Sequence, residues 1–370
     1  MDGGASEYRI VNEDKIATPA LVIYPEMVTE NIRRIGEMLG GYEGLRPHIK
    51  THKMSRIARM QLEGGITKFK CATPKEAALL IGVGATDILI AYPIVGKTVQ
   101  RVIGLKKEHP AADLKVIADD MDAVRALSKA CVVAGVDLGV MIDLNTGMDR
   151  TGAYSPEAAV ALSKTINELP GLCFEGLHAY DGHVSDPSAE VRKQDTMEAI
   201  DKAIRIKRLI EKEGPAVKTV IASGSPSFEF NAQVPEVDEV SPGTWIFWDS
   251  GYEEKMPGRF RWAALVLSTV ISRPGPDLIT LDAGSKSISP DTPAPHFRAL
   301  GLPEDMEFVV RSEEHQALRL PPGTPIPSVG DVLYLVSRHI CTTINLFDEA
   351  HIIDGQGRFI ETWPVDGRGH

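Results

Sequence analysis

Between residues 40 and 245 the chain alternates short β-rich runs with helical patterns, and this rhythm constrains the fold more than any other feature. The runs are Leu45–Lys50, Lys68–Thr73, Asp87–Pro93, Leu114–Asp119, Leu138–Leu144, Cys173–Tyr180, Lys218–Ser223 and Asp238–Pro242. Amphipathic stretches such as Pro74–Val83, Met121–Gly135 and Ala189–Glu213 lie between them. Eight such units predict an α/β fold, a TIM (β/α)8 barrel with its chemistry at the C-terminal ends of the strands. A doubly wound sheet is the alternative, because the last run is weak. After Trp245 helical periodicity fades and strand-like runs follow: Trp262–Ile271, Leu278–Leu281, Glu307–Arg311, Val332–Val336, His351–Ile353 and Arg358–Thr362. Turn signals such as Pro274-Gly275-Pro276 and Asp354-Gly355 separate them. A mostly β C-terminal domain is therefore expected. Ala20–Tyr24 reads as a strand that returns to it. The expected division is a barrel over 26–248 and a β domain over 1–25 plus 249–370.

Composition narrows the function. At 43% hydrophobic and 25% charged residues, a wholly disordered chain is excluded. No apolar run approaches the ~20 residues of a membrane span, so no membrane partner is expected. The first residues, MDGGASEYRIVNEDK, are polar and acidic, and a cytoplasmic location is the expectation. Four cysteines without C-x-x-C spacing do not make a disulfide framework. A net charge of -11 argues against nucleic acid.

The strand ends carry the polar residues. The first run ends RPHIKTHK, with Lys50 at its tip. It is either a solvated charge or an amine directed into the site. In the second case, desolvation and the cations Arg46, His48 and His52 would free it for Schiff-base chemistry. Thr73 fits a helix N-cap, with Glu76 completing a capping box. The fifth run continues into Asp143, Asn145, Asp149 and Arg150, which suits a ligand loop or ordinary turn chemistry. In GLHAYDGH, alternation puts His178 and Tyr180 on one face, with His183 in the loop beyond. Ser223, Gly224, Ser225 and Ser227 form a small-residue loop after the seventh run, and Gly243 and Thr244 follow the eighth. Backbone N–H groups of Gly224, Ser225, Gly243 and Thr244 suit a phosphate at that position of a barrel. In RHICTTIN, His339 and Cys341 share a side if the preceding strand continues. Imidazole plus thiolate suits Zn²⁺, while a buried cysteine beside a surface histidine is the alternative. Glu313, Glu314 and His315 form a polar cluster without an assigned role.

Together the motifs RPHIKTHK, CATPKEA, GLHAYDGH, VSPGTW and RHIC resemble the fold-type III pyridoxal-phosphate enzymes, in the group of D-threonine aldolases and D-serine dehydratases. The resemblance runs from about Thr18 to the end. It implies an alanine-racemase-like barrel followed by a β domain. Lys50 would carry pyridoxal 5′-phosphate, with Arg150 and Tyr180 near its ring and Thr73 also in the cofactor set. Ser223, Gly224, Ser225, Gly243 and Thr244 would hold its phosphate. His339 and Cys341 would bind a divalent metal, Zn or Mn, with Mg a further option. Such enzymes are homodimers with shared active sites. The implied activity is a lyase on D-β-hydroxy-α-amino acids, cleaving to glycine and an aldehyde, with His183 or a metal-bound water as base. The alternative is β-elimination to a keto acid and ammonia. Ser241 stands where alanine-racemising relatives carry arginine, which counts against simple racemisation. A non-catalytic cofactor carrier fits less well, because it lacks a second domain. A sugar-phosphate barrel enzyme is the reading that ignores the resemblance.

Overall fold

A computed structural model describes residues 6–369. The expected β-domain spans therefore begin and end in residues, 1–5 and 370, that lie outside the described ones. The chain divides into two compact units. One contains the chain up to Arg34, Thr51–Arg56 and Thr244–Arg368; the other contains Ile35–Lys50 and Ile57–Gly243, with Gly369.

The strand β1 (Ala20–Ile23) belongs to the first unit. The second unit holds β2 (Lys68–Cys71), β3 (Asp87–Pro93), β4 (Asp113–Ala118), β5 (Leu138–Asp143), β6 (Leu172–Ala179), β7 (Thr219–Ala222) and β8 (Glu239–Val240). They form one parallel seven-stranded sheet in sequence order. The run expected as the first strand, Leu45–Lys50, is not a regular strand. Residues 44–48 pair by single bridges on both sides, Leu45 with Val240 and His48 with Lys70. Arg46 N–H donates to the Val240 carbonyl and Lys70 N–H to the Pro47 carbonyl, each at 2.9 Å. This segment closes the sheet on itself. Ile49–Thr51 is then a 3₁₀ turn, so Lys50 lies just past the strand rather than at its tip.

Leu89, Ile117, Met141 and Ile221 make an apolar layer inside the barrel, as alternate inward positions should. Arg46, expected as a cation beside Lys50, is spent elsewhere. It is 2% exposed, and its fork reaches Glu239 at 2.5 Å and Asp87 at 2.7 Å. Lys115 shares Asp87 at 2.8 Å. These bonds tie the closing segment to β3 and β8.

In the other unit, β1 lies between β9 (Ala264–Gly275), antiparallel, and β15 (Glu349–Ile353), parallel. The early strand thus returns to this sheet, as its pattern implied. The sheet also contains β10 (Leu278–Leu281), β11 (Phe297–Ala299), β12 (Glu307–Arg311), β13 (Gln316–Arg319), β14 (Val332–Ser337) and β16 (Phe359–Pro364). Glu313, Glu314 and His315 lie in the β12–β13 turn. Glu314 meets Lys286 at 2.8 Å on the surface, and the Ser312 N–H donates to the His315 carbonyl. No described helix is long and apolar enough to cross a membrane.

Removing one partner of a buried charge cluster strands the others. Arg46→Ala should therefore lower the unfolding free energy by about 3–5 kcal/mol. Urea unfolding followed by circular dichroism measures this; a loss under ~1 kcal/mol would deny the cluster its closing role.

Candidate active site

The barrel unit holds a cavity of about 550 Å³ whose lining includes His48, Lys50, Lys70, Arg150, His178 and Tyr180. A bulge in β6 decides what enters it. Val140 pairs with Phe174, but the next residue, Met141, pairs with Gly176, so Glu175 is extra. The skip reverses the alternation and turns His178, opposite Asp143, inward. Gly176 is required there: its φ is +143°, and a Cβ would run into the Thr219 carbonyl.

His178 is buried and its Nδ1 lies 2.6 Å from Asp143. Burial pushes the His178 pKa down and outweighs the pull of Asp143. Burial alone would raise Asp143, but the bond to His178, with Thr151 and Arg150, holds it below the usual carboxylate range. Nε2 of His178 faces Lys70 at 3.4 Å, and the Lys70 ammonium also bonds Ser241 Oγ. Burial, then the charge of Lys50, lowers the Lys70 pKa to about 7. Three cations flank the Tyr180 ring: Arg150 at 5.0 Å, Lys70 at 5.4 Å and Lys50 at 5.9 Å.

Lys50, Arg150 and Tyr180 are therefore brought together. Thr73 instead caps helix Pro74–Gly82, accepting from Glu76 N–H at 3.1 Å, while Glu76 accepts from Ala72 N–H at 2.7 Å. Ala72, not Thr73, lines the cavity. His183 is exposed within its unit, beside Gly147. The expected phosphate loop is partly committed to its own chain. The Gly224 N–H donates to Asp181 at 2.7 Å, and Asp181 also accepts from Ser227 and Asn231. The Gly243 N–H donates to Ser225 Oγ at 3.3 Å, and Ser223 Oγ accepts from Ser241 N–H at 3.2 Å.

In the β unit, β14 ends at Ser337, so the strand does not continue through His339 and Cys341. His339 instead opens a helical turn, Ile340–Ile344. The pair still meets. Burial would raise the Cys341 thiol, but the His339 contact, with the Thr244 and Thr51 hydroxyls, carries it below its usual value. Sγ lies 3.2 Å from Thr51 Oγ1 and 3.4 Å from Thr244 Oγ1. Burial would lower His339, but Cys341, Asp291 and Asp249 raise it to about 9. His339 Nδ1 sits 2.6 Å from Asp291 Oδ2, which leaves Nε2 for another partner. A soft sulfur beside an oriented imidazole fits a borderline cation such as Zn²⁺. Among the described residues no cluster of three or more His, Cys, Asp or Glu side chains is placed to hold a metal. This pair would thus supply two protein ligands.

Residues 23–251 match the alanine racemase N-terminal domain family, and residues 263–353 match the putative serine dehydratase domain family. A D-threonine aldolase from Arthrobacter is 31% identical over 96% of this chain and 93% of its own. A 3-hydroxy-D-aspartate aldolase from Paracoccus denitrificans is 28% identical over 97% of this chain and 94% of its own. The crystal structure of D-threonine aldolase from Filomicrobium marinum superposes with a TM-score of 0.89 at 28% identity, covering 99% of both chains. The chain belongs to the alanine racemase-like family of pyridoxal-phosphate-dependent lyases.

Several polar residues of this lyase escaped the motif reading. Lys70 and Asp291 lie outside the quoted motifs, and Asp181 lies within GLHAYDGH without having been given a role. The available signal was a lysine within a short run expected to be buried on both faces, KFKC.

Asp143→Ala leaves buried His178 Nδ1 without its partner and should cost about 1–3 kcal/mol at pH 7. Because the folded chain holds Asp143 low, its contribution is full above the ordinary carboxylate pKa and is lost as pH falls. The gap between wild type and variant should close towards pH 3 in denaturant titrations. A gap that stays constant with pH contradicts the assignment of an ionised Asp143 as the partner of His178 Nδ1.

Proposed function

We propose that this chain is a lyase acting on D-β-hydroxy-α-amino acids, cleaving the Cα–Cβ bond to give glycine and an aldehyde. The observation that supports it most is the near end-to-end likeness to D-threonine aldolase, in a chain with Lys50 in a barrel cavity. When bound, pyridoxal phosphate supplies a carbonyl for the substrate amine and an electron sink for the breaking bond.

In this reading Lys50 provides the amine that holds the cofactor, while Arg150 and Tyr180 frame its ring. The donor set fits an anionic aromatic ligand, because three basic side chains lie within about 6 Å of the Tyr180 ring centre. Ser223, Gly224, Ser225, Gly243 and Thr244 are assigned to the phosphate, with Thr73 nearby in sequence to the cavity wall. That assignment requires Gly224 and Gly243 to exchange their present acceptors, Asp181 and Ser225. His339 and Cys341 would hold a divalent ion, which would lower the pKa of the substrate β-hydroxyl. Asp291 fixes His339 by accepting from Nδ1. His183 is the assigned base for the hydroxyl proton. We also assign a homodimer with shared active sites and a cytoplasmic location, which suits four free cysteines.

A second reading is β-elimination to a keto acid and ammonia. The match of residues 263–353 to the putative serine dehydratase domain favours it. In that case Lys50 takes the α-proton and the hydroxyl leaves.

Incubation of the purified protein with D-threonine and D-serine separates the two. The expected result is glycine plus acetaldehyde from D-threonine. Pyruvate plus ammonia from D-serine alone would reverse the order of the readings, and racemisation of alanine with neither lyase product would end both. The metal assignment has its own check. His339→Ala should strip the divalent ion found by elemental analysis, and Asp291→Ala should weaken its retention against a chelator by about 10–100-fold. Unchanged metal content in His339→Ala would remove the ion from this pair.

A further inference from the structure

Lys70 projects from β2 into the barrel, 1% exposed, and neither of its hydrogen-bond partners is a carboxylate. A buried ammonium needs three acceptors. Two are present, Ser241 Oγ and His178 Nε2. Both are fixed by their own bonds. The Ser241 hydroxyl faces the Ala222 and Ser223 carbonyls at 3.2 and 3.3 Å, and His178 Nδ1 donates to Asp143. Lys70 lines the same cavity as Lys50, Arg150 and Tyr180, where a third acceptor can be supplied by a ligand.

As a strut between strands, this arrangement is poor. A methionine of similar length would fill the space without desolvating a charge. A buried donor that costs stability and opens on a cavity is the arrangement of a binding group.

We propose that Lys70 contacts the bound cofactor, donating its third N–H to an acceptor of the pyridoxal phosphate ring system and setting the ionisation of that ring. The inference rests on the cofactor assignment above. Its charge responds to the groups around it: Lys50 and Arg150 oppose protonation, and Asp143 and Asp181 favour it. His178 on β6 and Tyr180 beyond it complete the surroundings, with His48 bridged to the Lys70 backbone. Burial and these cations place the change of charge of Lys70 itself near pH 7, so its side chain is cationic below that pH and neutral above it.

The test compares wild-type, Lys70→Met and Lys70→Arg holoenzymes. The absorption band of the bound cofactor, followed from pH 5.5 to 9.5, should change in wild type as Lys70 loses its proton. Lys70→Met should abolish that change, and Lys70→Arg should hold the low-pH spectrum throughout. Cofactor retention, measured by equilibrium dialysis, should fall about tenfold or more in Lys70→Met, the loss of one charge-assisted hydrogen bond. The melting temperature of the cofactor-stripped Lys70→Met chain should rise. A merely structural lysine gives the opposite, a lower melting temperature with an unchanged spectrum, and would overturn the proposal. Wild-type protein that binds no pyridoxal phosphate would overturn the cofactor assignment and this inference with it. Wild type that binds it with the same spectrum and affinity as Lys70→Met would overturn this inference alone.

Discussion

The pairing of residues 44–48 with β8 on one side and β2 on the other is the constraint on which the barrel depends. A seven-stranded sheet leaves two open edges, and this irregular segment covers both. It is held less by its own short ladder than by Arg46, whose guanidinium binds Asp87 and Glu239 on the two flanking parts of the sheet. Once the segment is fixed, the 3₁₀ turn that follows has one place to go, and Lys50 comes to the cavity. The cavity itself exists because the inward residues above the Leu89, Ile117, Met141 and Ile221 layer are small or polar, such as Ala72, Ala91 and Asp143.

Polar burial inside the barrel is organised as a directed chain. Asp143 orients His178, and His178 presents its second nitrogen to Lys70. Each bond limits the choices of the next group, which favours one tautomer and one rotamer over several. The β unit shows the same economy on a smaller scale. Asp291 takes one nitrogen of His339, and the thiol of Cys341 is drawn towards its ionised form by the imidazole and two hydroxyls. A thiol made acidic beside an oriented imidazole is prepared for a cation of borderline softness.

The architecture was largely legible because both units announce their periodicities. Asp87–Pro93 and Leu278–Leu281 carry the bounds their patterns implied, and β1 joins the sheet its pattern pointed to. What failed was local. Leu45–Lys50 reads as a strand, yet Pro47 and the sheet's closure leave only single bridges. Phe297–Ala299 and Gln316–Arg319 are too short and mixed to stand out; the first forms by pairing with β14, far along the chain, and the second by pairing with distant β10 as well as with adjacent β12. Inward placement of His178 depends on a bulge that strict alternation cannot foresee. Arg46 looked like an activating cation because composition shows charge but not the distant carboxylates that neutralise it. The bond from the Gly224 N–H to Asp181 was not legible either, because that acceptor comes from another strand's loop. The candidate residues were visible by type and spacing; their partners, set by tertiary contacts, were not.

The central claim is that Lys50, rather than Lys70 in the same cavity or Lys53 in the next turn, carries the cofactor. Borohydride reduction of the protein loaded with pyridoxal phosphate, followed by peptide mapping, tests it most directly. The expected result is one stable pyridoxyl adduct on Lys50. An adduct on Lys70 or Lys53, or none, would contradict it.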